Sequence, residues 1–299
     1  MASSILLDQT FTDRSASHEL SIRWTTLGPD DGEPLIFIHG TPWSSFVWTA
    51  YAKSLSSRFK IYLFDNPGYG LSPGHRSLLE EDHSNVDISF ASLARSFASI
   101  YKSWSFSPDQ PPHVIAHDIG GIIALRAHLL HGCSYASLCL IDVVSLRPFG
   151  SPFYRLVGQN QAVFERIPDS IHRGILGAYI AGAAFKPLPR DVADALAAPW
   201  AAGGSQGQTG FIRQIVQAEE QHVAEVEDRY RQVGAVMPVK IIWGKEDTWI
   251  PVAQAARLAE AVQAKETVIV EEAGHLIMFD QPERLATEIG VWLMSLGMK

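Results

Sequence analysis

Between Pro34 and Leu146 short apolar runs alternate with stretches of helical length, and the alternation returns at Val239 and continues to the chain end. Leu35-Ile-Phe-Ile38, Ile61-Tyr-Leu-Phe64, Val114-Ile-Ala116 and Leu138-Cys-Leu-Ile141 are unbroken apolar runs, as strands covered on both faces of a parallel sheet require. Trp48 to Leu55 and Ile88 to Trp104 space their apolar residues at three and four, while Ile119 to Leu130 is apolar almost all round and should pack on the sheet. Lys240-Ile-Ile-Trp243, Val252 to Val262, Thr267-Val-Ile-Val270 and Glu283 to Leu296 repeat the scheme. The first thirty residues alternate weakly around turn formers such as Gly28-Pro-Asp-Asp-Gly32, which predicts an antiparallel edge. The pattern is α/β, with a mostly parallel sheet flanked by helices.

Residues 147–235 break the alternation. They are rich in Ala and Gly, show helical spacing and contain no strand pattern, so they read as a helical cap inserted into a core formed by 1–146 and 236–299. Pro187, Pro189 and Pro199, with Gly203-Gly204 and Gly207, should divide the insert into short helices and a loop.

Composition narrows the function classes. The 299 residues carry 24 Lys+Arg against 32 Asp+Glu, a formal charge of −8, without a compensating basic run, which disfavours nucleic acid and anionic membrane surfaces as partners. The longest apolar passage, Gly174 to Phe185, is shorter than the roughly 20 residues that span a bilayer. Only Cys133 and Cys139 are present, which supplies neither a disulfide framework nor a paired zinc-ligand spacing. With no basic start followed by an apolar stretch, a cytoplasmic-type, reducing location is expected. No metal-ligand spacing and no glycine-rich dinucleotide fingerprint appear, so no cofactor is expected; the expected partner is a small-molecule substrate, in an oligomeric state the residues do not specify.

The chemistry concentrates where strands end. Ala116-His117-Asp118-Ile119-Gly120-Gly121 stands where a buried strand gives way to an apolar helix, a junction that can project one side chain off the sheet beside backbone N–H groups. Asp118 occupies the projecting position; its ordinary role there would be helix capping. His39-Gly-Thr-Pro42, Trp243-Gly-Lys-Glu-Asp247 and Ala273-Gly-His275 follow three other strands, at the end of the sheet where open α/β folds place their sites.

These motifs, with Asp65-Asn-Pro-Gly-Tyr-Gly-Leu-Ser72, resemble the α/β-hydrolase superfamily, and within it the aspartate-nucleophile branch of epoxide hydrolases and haloalkane dehalogenases. The resemblance covers nearly the whole chain and implies an eight-stranded sheet. It makes Asp118 the nucleophile, His275 the base and Asp247 the orienting acid. Asp142, at the end of the strand before the cap, is the alternative acid. Backbone N–H groups of Thr41 and Ile119 would form an oxyanion hole, at about 3–4 kcal/mol per donor. A carboxylate, unlike a serine, needs no deprotonation at neutral pH and suits displacement at an sp³ carbon, after which histidine activates water against the ester.

The leaving group divides the branch. Haloalkane dehalogenases commonly carry Trp after the nucleophile and Asn after His-Gly, where this chain has Ile119 and Thr41. Trp43, Trp48 and Trp200 are the remaining indole candidates. Tyr154, Tyr179 and Tyr230 are candidates to protonate an opening epoxide, although Ile212 stands where a second tyrosine of epoxide hydrolases is sought. His222 is a further donor candidate on a glutamate-rich, solvated helix, and His117 is expected to be structural. Epoxide hydrolysis is placed ahead of haloalkane or haloacid dehalogenation. A non-hydrolytic lyase or isomerase and a small-molecule binding protein stand as readings from other classes.

Overall fold

A computed structural model describes residues 4–14, 18–74, 76–78, 86–201 and 207–297. The chain opens with β1 (Gln9–Arg14), β2 (His18–Leu27) and β3 (Glu33–Ile38), then α1 (Thr49–Leu55), β4 (Phe59–Phe64), the two-residue β5 (Arg76–Ser77) and α2 (Phe90–Ser103). It continues through β6 (His113–His117), α3 (Ile119–His131) and β7 (Ser137–Ile141). After a helical stretch come β8 (Val239–Gly244), later β9 (Glu266–Val270), and a final helix over Pro282–Ser295.

The strand order is β1-β2-β4-β3-β6-β7-β8-β9, with β5 paired to β2 beside this path. The first two pairings, β1 with β2 and β2 with β4, are antiparallel, and every later pairing is parallel. The alternating start of the chain therefore forms the antiparallel edge that its pattern predicts. The ninth strand, β5, is too short to leave a periodic signal. All residues of β6, β7 and β8 are buried, so both faces of the central sheet are covered, whereas the edge strand β9 alternates in exposure. Gly120 and Gly121 let α3 seat close: a Cβ on Gly120 would stand 2.7 Å from the Ile38 carbonyl oxygen, and one on Gly121 would fall on Val143.

Between β7 and β8 the described chain is helical: α4 (Pro152–Gln159), α5 (Gln161–Phe164), α6 (Asp169–Ala181), α7 (Arg190–Ala201), α8 (Gln208–Val216), α9 (Glu220–Glu227) and α10 (Arg231–Val236). Pro187 and Pro189 separate α6 from α7, and Gly207 precedes α8. Pro199 does not end a helix as expected. It lies in the closing turns of α7, where a missing N–H costs one hydrogen bond and leaves the preceding turns intact. Gly203-Gly204 lies outside the described residues. The remaining helices are α11 (Ala253–Val262), α12 (Ile277–Asp280) and α13 (Pro282–Ser295). No helix among the described residues is long and apolar enough to cross a membrane.

Candidate active site

The carboxyl ends of six parallel strands converge. β6 stops at His117, and Asp118 turns the chain into α3 with φ 53° and ψ −126°, a conformation that costs an L-residue strain. The side chain makes no capping bond to α3, so its ordinary helix-end role is unused. Its backbone carbonyl accepts from Gly121 N–H and Val144 N–H, each at 3.0 Å, while Oδ1 accepts from Thr41 N–H at 2.6 Å. Gly40 makes this approach possible, because a Cβ there would fall on the Asp118 carboxyl group. The loop after β4 supports the Thr41 segment. Asn66 N–H donates to His39 Nε2 at 2.8 Å, which fixes the proton on His39 Nδ1, and that N–H donates to Gly40 O. Asp65 binds Ser45 N–H and Leu71 N–H at 2.8 and 2.7 Å.

His275 lies across the cleft, fully buried. Nδ1–H donates to Asp247 Oδ2 at 2.9 Å, and Nε2 approaches Asp118 Oδ2 at 3.2 Å as an ion-pair contact outside well-aligned hydrogen-bond geometry. Asp247 uses its other oxygen to accept from Trp249 N–H and Ile250 N–H. Asp142 does not hold the imidazole: Oδ1 accepts from Gly244 N–H at 2.7 Å, and Oδ2 has no partner among the described residues. Geometry thus selects Asp247 over Asp142 as the carboxylate that orients His275. His117 contributes through its Nε2–H, which donates to the His275 carbonyl at 2.9 Å. Its side chain shapes the loop, as expected of a structural histidine.

Above Asp118 lies a small chamber lined mainly by apolar groups, including Phe90, Ile119, Val144 and Phe149, with Tyr154, Tyr179 and Trp249. Tyr154 and Tyr179 are therefore brought to the site. Trp43 is buried and stacks on Trp249 at 5.7 Å between ring centroids without lining the chamber. Trp200 spends its indole N–H on the Pro42 carbonyl at 2.6 Å, which removes it as an anion donor. Tyr230 similarly donates to Ser145 O at 2.6 Å. His222 is neither solvated nor in the chamber: it is buried on α9 against α3, where its carbonyl accepts from Arg126. Ile119 lines the wall, and Thr41 supplies the backbone N–H seen on Asp118. No three His, Cys, Asp or Glu side chains among the described residues are grouped to hold a metal ion.

Residues 35–288 match the alpha/beta hydrolase family. The chain belongs to it. An alpha/beta hydrolase fold protein from Burkholderia ambifaria is 35% identical, with a TM-score of 0.84 over 96% of this chain and 98% of that one. The pimeloyl-[acyl-carrier protein] methyl ester esterase of Aeromonas hydrophila is 26% identical over 268 residues, which is 86% of this chain and 92% of the esterase. A variant of a haloalkane dehalogenase from Agrobacterium tumefaciens shares the fold, with a TM-score of 0.75 at 15% identity and 96% coverage of both chains.

Several residues of this hydrolase site carry no motif. Trp249 stacks on His275 at 5.0 Å and on Tyr179 at 4.1 Å. Buried Gln214, on α8, accepts from Thr41 Oγ1–H through its side chain and from Tyr154 O–H through its carbonyl, so it joins the helical stretch to the Thr41 loop. The Tyr69 hydroxyl lies 3.3 Å from Thr41 Oγ1 and donates to it, the single Thr41 proton being on Gln214. Asp280 accepts from Gly274 N–H at 2.9 Å and from Phe185 and Lys186 N–H at 2.8 Å, pinning the His275 loop to the segment after α6. A buried carboxylate receiving three N–H groups is recognisable only once distant loops meet.

Electrostatics order the charges. Burial opposes a charged His275, but the charge of Asp247 and the contact with Asp118 outweigh it and hold the imidazole well above its ordinary 6.5. Burial, then repulsion from Asp247, raises Asp142 well above the usual carboxylate range and favours its protonated form. Burial, then the charge of His275, pushes His117 well below 6.5. Because His275 binds its proton more tightly folded than unfolded, its stabilising contribution is complete below about 6.5 and is lost as pH rises through the raised folded value. In ¹⁵N-histidine NMR the His275 ring is expected to keep its imidazolium shifts well above pH 6.5. Asp247→Asn should bring the titration down, and Asp142→Asn should not. Equal titration of His275 in wild type and Asp247→Asn would contradict the pairing.

Proposed function

We propose that this hydrolase opens an epoxide on a small apolar substrate through a covalent ester on Asp118, which water activated by His275 then hydrolyses. The observation that carries the reading is a strained, uncapped carboxylate that faces a backbone N–H and a histidine, beneath a chamber lined by Tyr154 and Tyr179. Esterases of this fold put serine at that turn. A carboxylate attacking an ester carbonyl would form a mixed anhydride, whereas at an sp³ carbon it forms a stable alkyl ester. The esterase chemistry of the Aeromonas relative therefore transfers poorly to this elbow.

Asp118 Oδ attacks a ring carbon, the C–O bond breaks, and a tyrosine O–H protonates the alkoxide. Asp118 is now a neutral ester, so His275 loses one of the two carboxylates that raise it and releases its proton, which restores the tyrosine. Neutral His275 then takes a proton from water, and the hydroxide adds to the Asp118 carbonyl carbon with the oxyanion on Thr41 N–H. Collapse expels the diol oxygen, which takes the proton from His275, and the Asp118 carboxyl proton returns to the imidazole. Alkylation of the nucleophile thus converts the histidine from an acid's counter-ion to a base. The helices α4–α10 serve as the lid that supplies Tyr154 and Tyr179.

Dehalogenation stands as the second reading, because the Trp249 indole lines the chamber above Asp118. His275→Gln should stop the cycle at the ester, so incubation with 1,2-epoxyhexane is expected to add one epoxide mass to the protein, mapped to Asp118. A folded His275→Gln protein that turns over normally, or is never alkylated, would refute the ester. Replacing both Tyr154 and Tyr179 with Phe should slow epoxide turnover by about 100-fold or more while changing haloalkane turnover only a few-fold. Equal losses on the two substrate types would remove the tyrosines from leaving-group protonation.

A further inference from the structure

Two cavities meet at one pair of aromatic rings. The inner chamber above Asp118 is a cavity of about 20 Å³, little more than one water requires. On the far side of Ser151, Tyr179 and Trp249, which line both spaces, lies an open outer cleft of about 470 Å³. Its other walls include Phe153, Ile175, Ala178 and Thr248, and no charged side chain lines it. Contact closes the partition: Tyr179 and Trp249 stack at 4.1 Å with their planes 21° apart, and Trp249 continues onto His275, so an arm reaches the outer cleft only where the Tyr179 ring swings aside.

The inner chamber has room for the reacting carbon and its immediate neighbours. Any larger part of a substrate must leave it, and the space that shares a wall with it is apolar. We propose that the substrate is elongated, with its reactive carbon at Asp118 and an uncharged alkyl or aryl arm passing Tyr179 and Trp249 into the outer cleft between α4, α6 and the segment after Asp247. An ionised arm would lose hydration there without gaining a partner. Tyr179 then has two duties, facing the leaving group on one side and bordering the arm on the other.

The inference rests on the reading of Asp118 as the reacting group, and the test separates the two. Wild-type kcat/KM for terminal 1,2-epoxyalkanes of four to ten carbons should rise about two- to four-fold per methylene until the cleft is filled. Affinity for unreactive 1-alkanols of the same lengths, measured by calorimetry, should follow the same ratio. Ala178→Trp, at an exposed position on α6, should abolish the gain in kcat/KM and in alkanol affinity beyond about six carbons by this area argument. A length dependence that survives Ala178→Trp, or affinity that stays flat beyond four carbons, would overturn the proposal. Alkanols that obey the series alongside epoxides that are not turned over would refute the epoxide reading and leave the cleft assignment standing.

Discussion

The Asp118 carboxylate is held between one backbone N–H and one imidazole, and the neighbouring structure is arranged to keep it there. Its left-handed backbone turns the side chain away from the capping position it would otherwise occupy and up to Thr41 N–H at 2.6 Å. That strain is tolerated because surrounding contacts over-determine the turn. The Asp118 carbonyl is tied to α3 and to the segment after β7, and the glycines at 40, 120 and 121 leave no space for an alternative path with side chains. The Thr41 loop is supported in turn from β4, through His39, Asn66 and Asp65, and from α8, through Gln214.

The charges at the strand ends form a graded set. Asp247 is paired with His275, Asp142 is pushed toward its neutral form, and His117 is pushed toward neutral imidazole. A single imidazolium therefore sits between two carboxylates in the resting site. This arrangement makes the state of His275 depend on whether Asp118 carries its charge, which couples the two halves of the proposed cycle without any movement of the backbone. Asp142 spends Oδ1 on Gly244 N–H, so the orienting role stays with Asp247 alone.

The parallel sheet was legible because burial on both faces leaves continuous apolar runs, and Leu35–Ile38, Ile61–Phe64 and Leu138–Ile141 all fall within observed strands. Asp118, Asp247 and His275 were legible because each follows such a run within a small-residue motif. Trp249, Gln214 and Asp280 were not, since each acts through contacts with segments more than twenty residues away or through a neighbour's backbone, and single polar or aromatic residues in irregular chain have no periodicity. The same cause separates expectation from structure at Trp200 and His222. Nothing local shows that the first donates to Pro42 O or that the second is packed on α3 beside Arg126.

The central claim is that a bond forms between Asp118 and substrate carbon. Single turnover of 1,2-epoxyhexane in ¹⁸O-labelled water, with enzyme in excess, tests it most directly by mass analysis of the peptide that contains Asp118. The expected result is one ¹⁸O in the Asp118 carboxylate and an unlabelled diol after the first cycle. Label found wholly in the diol, with Asp118 unlabelled and turnover intact, would contradict the ester and place the attack by water on the substrate itself.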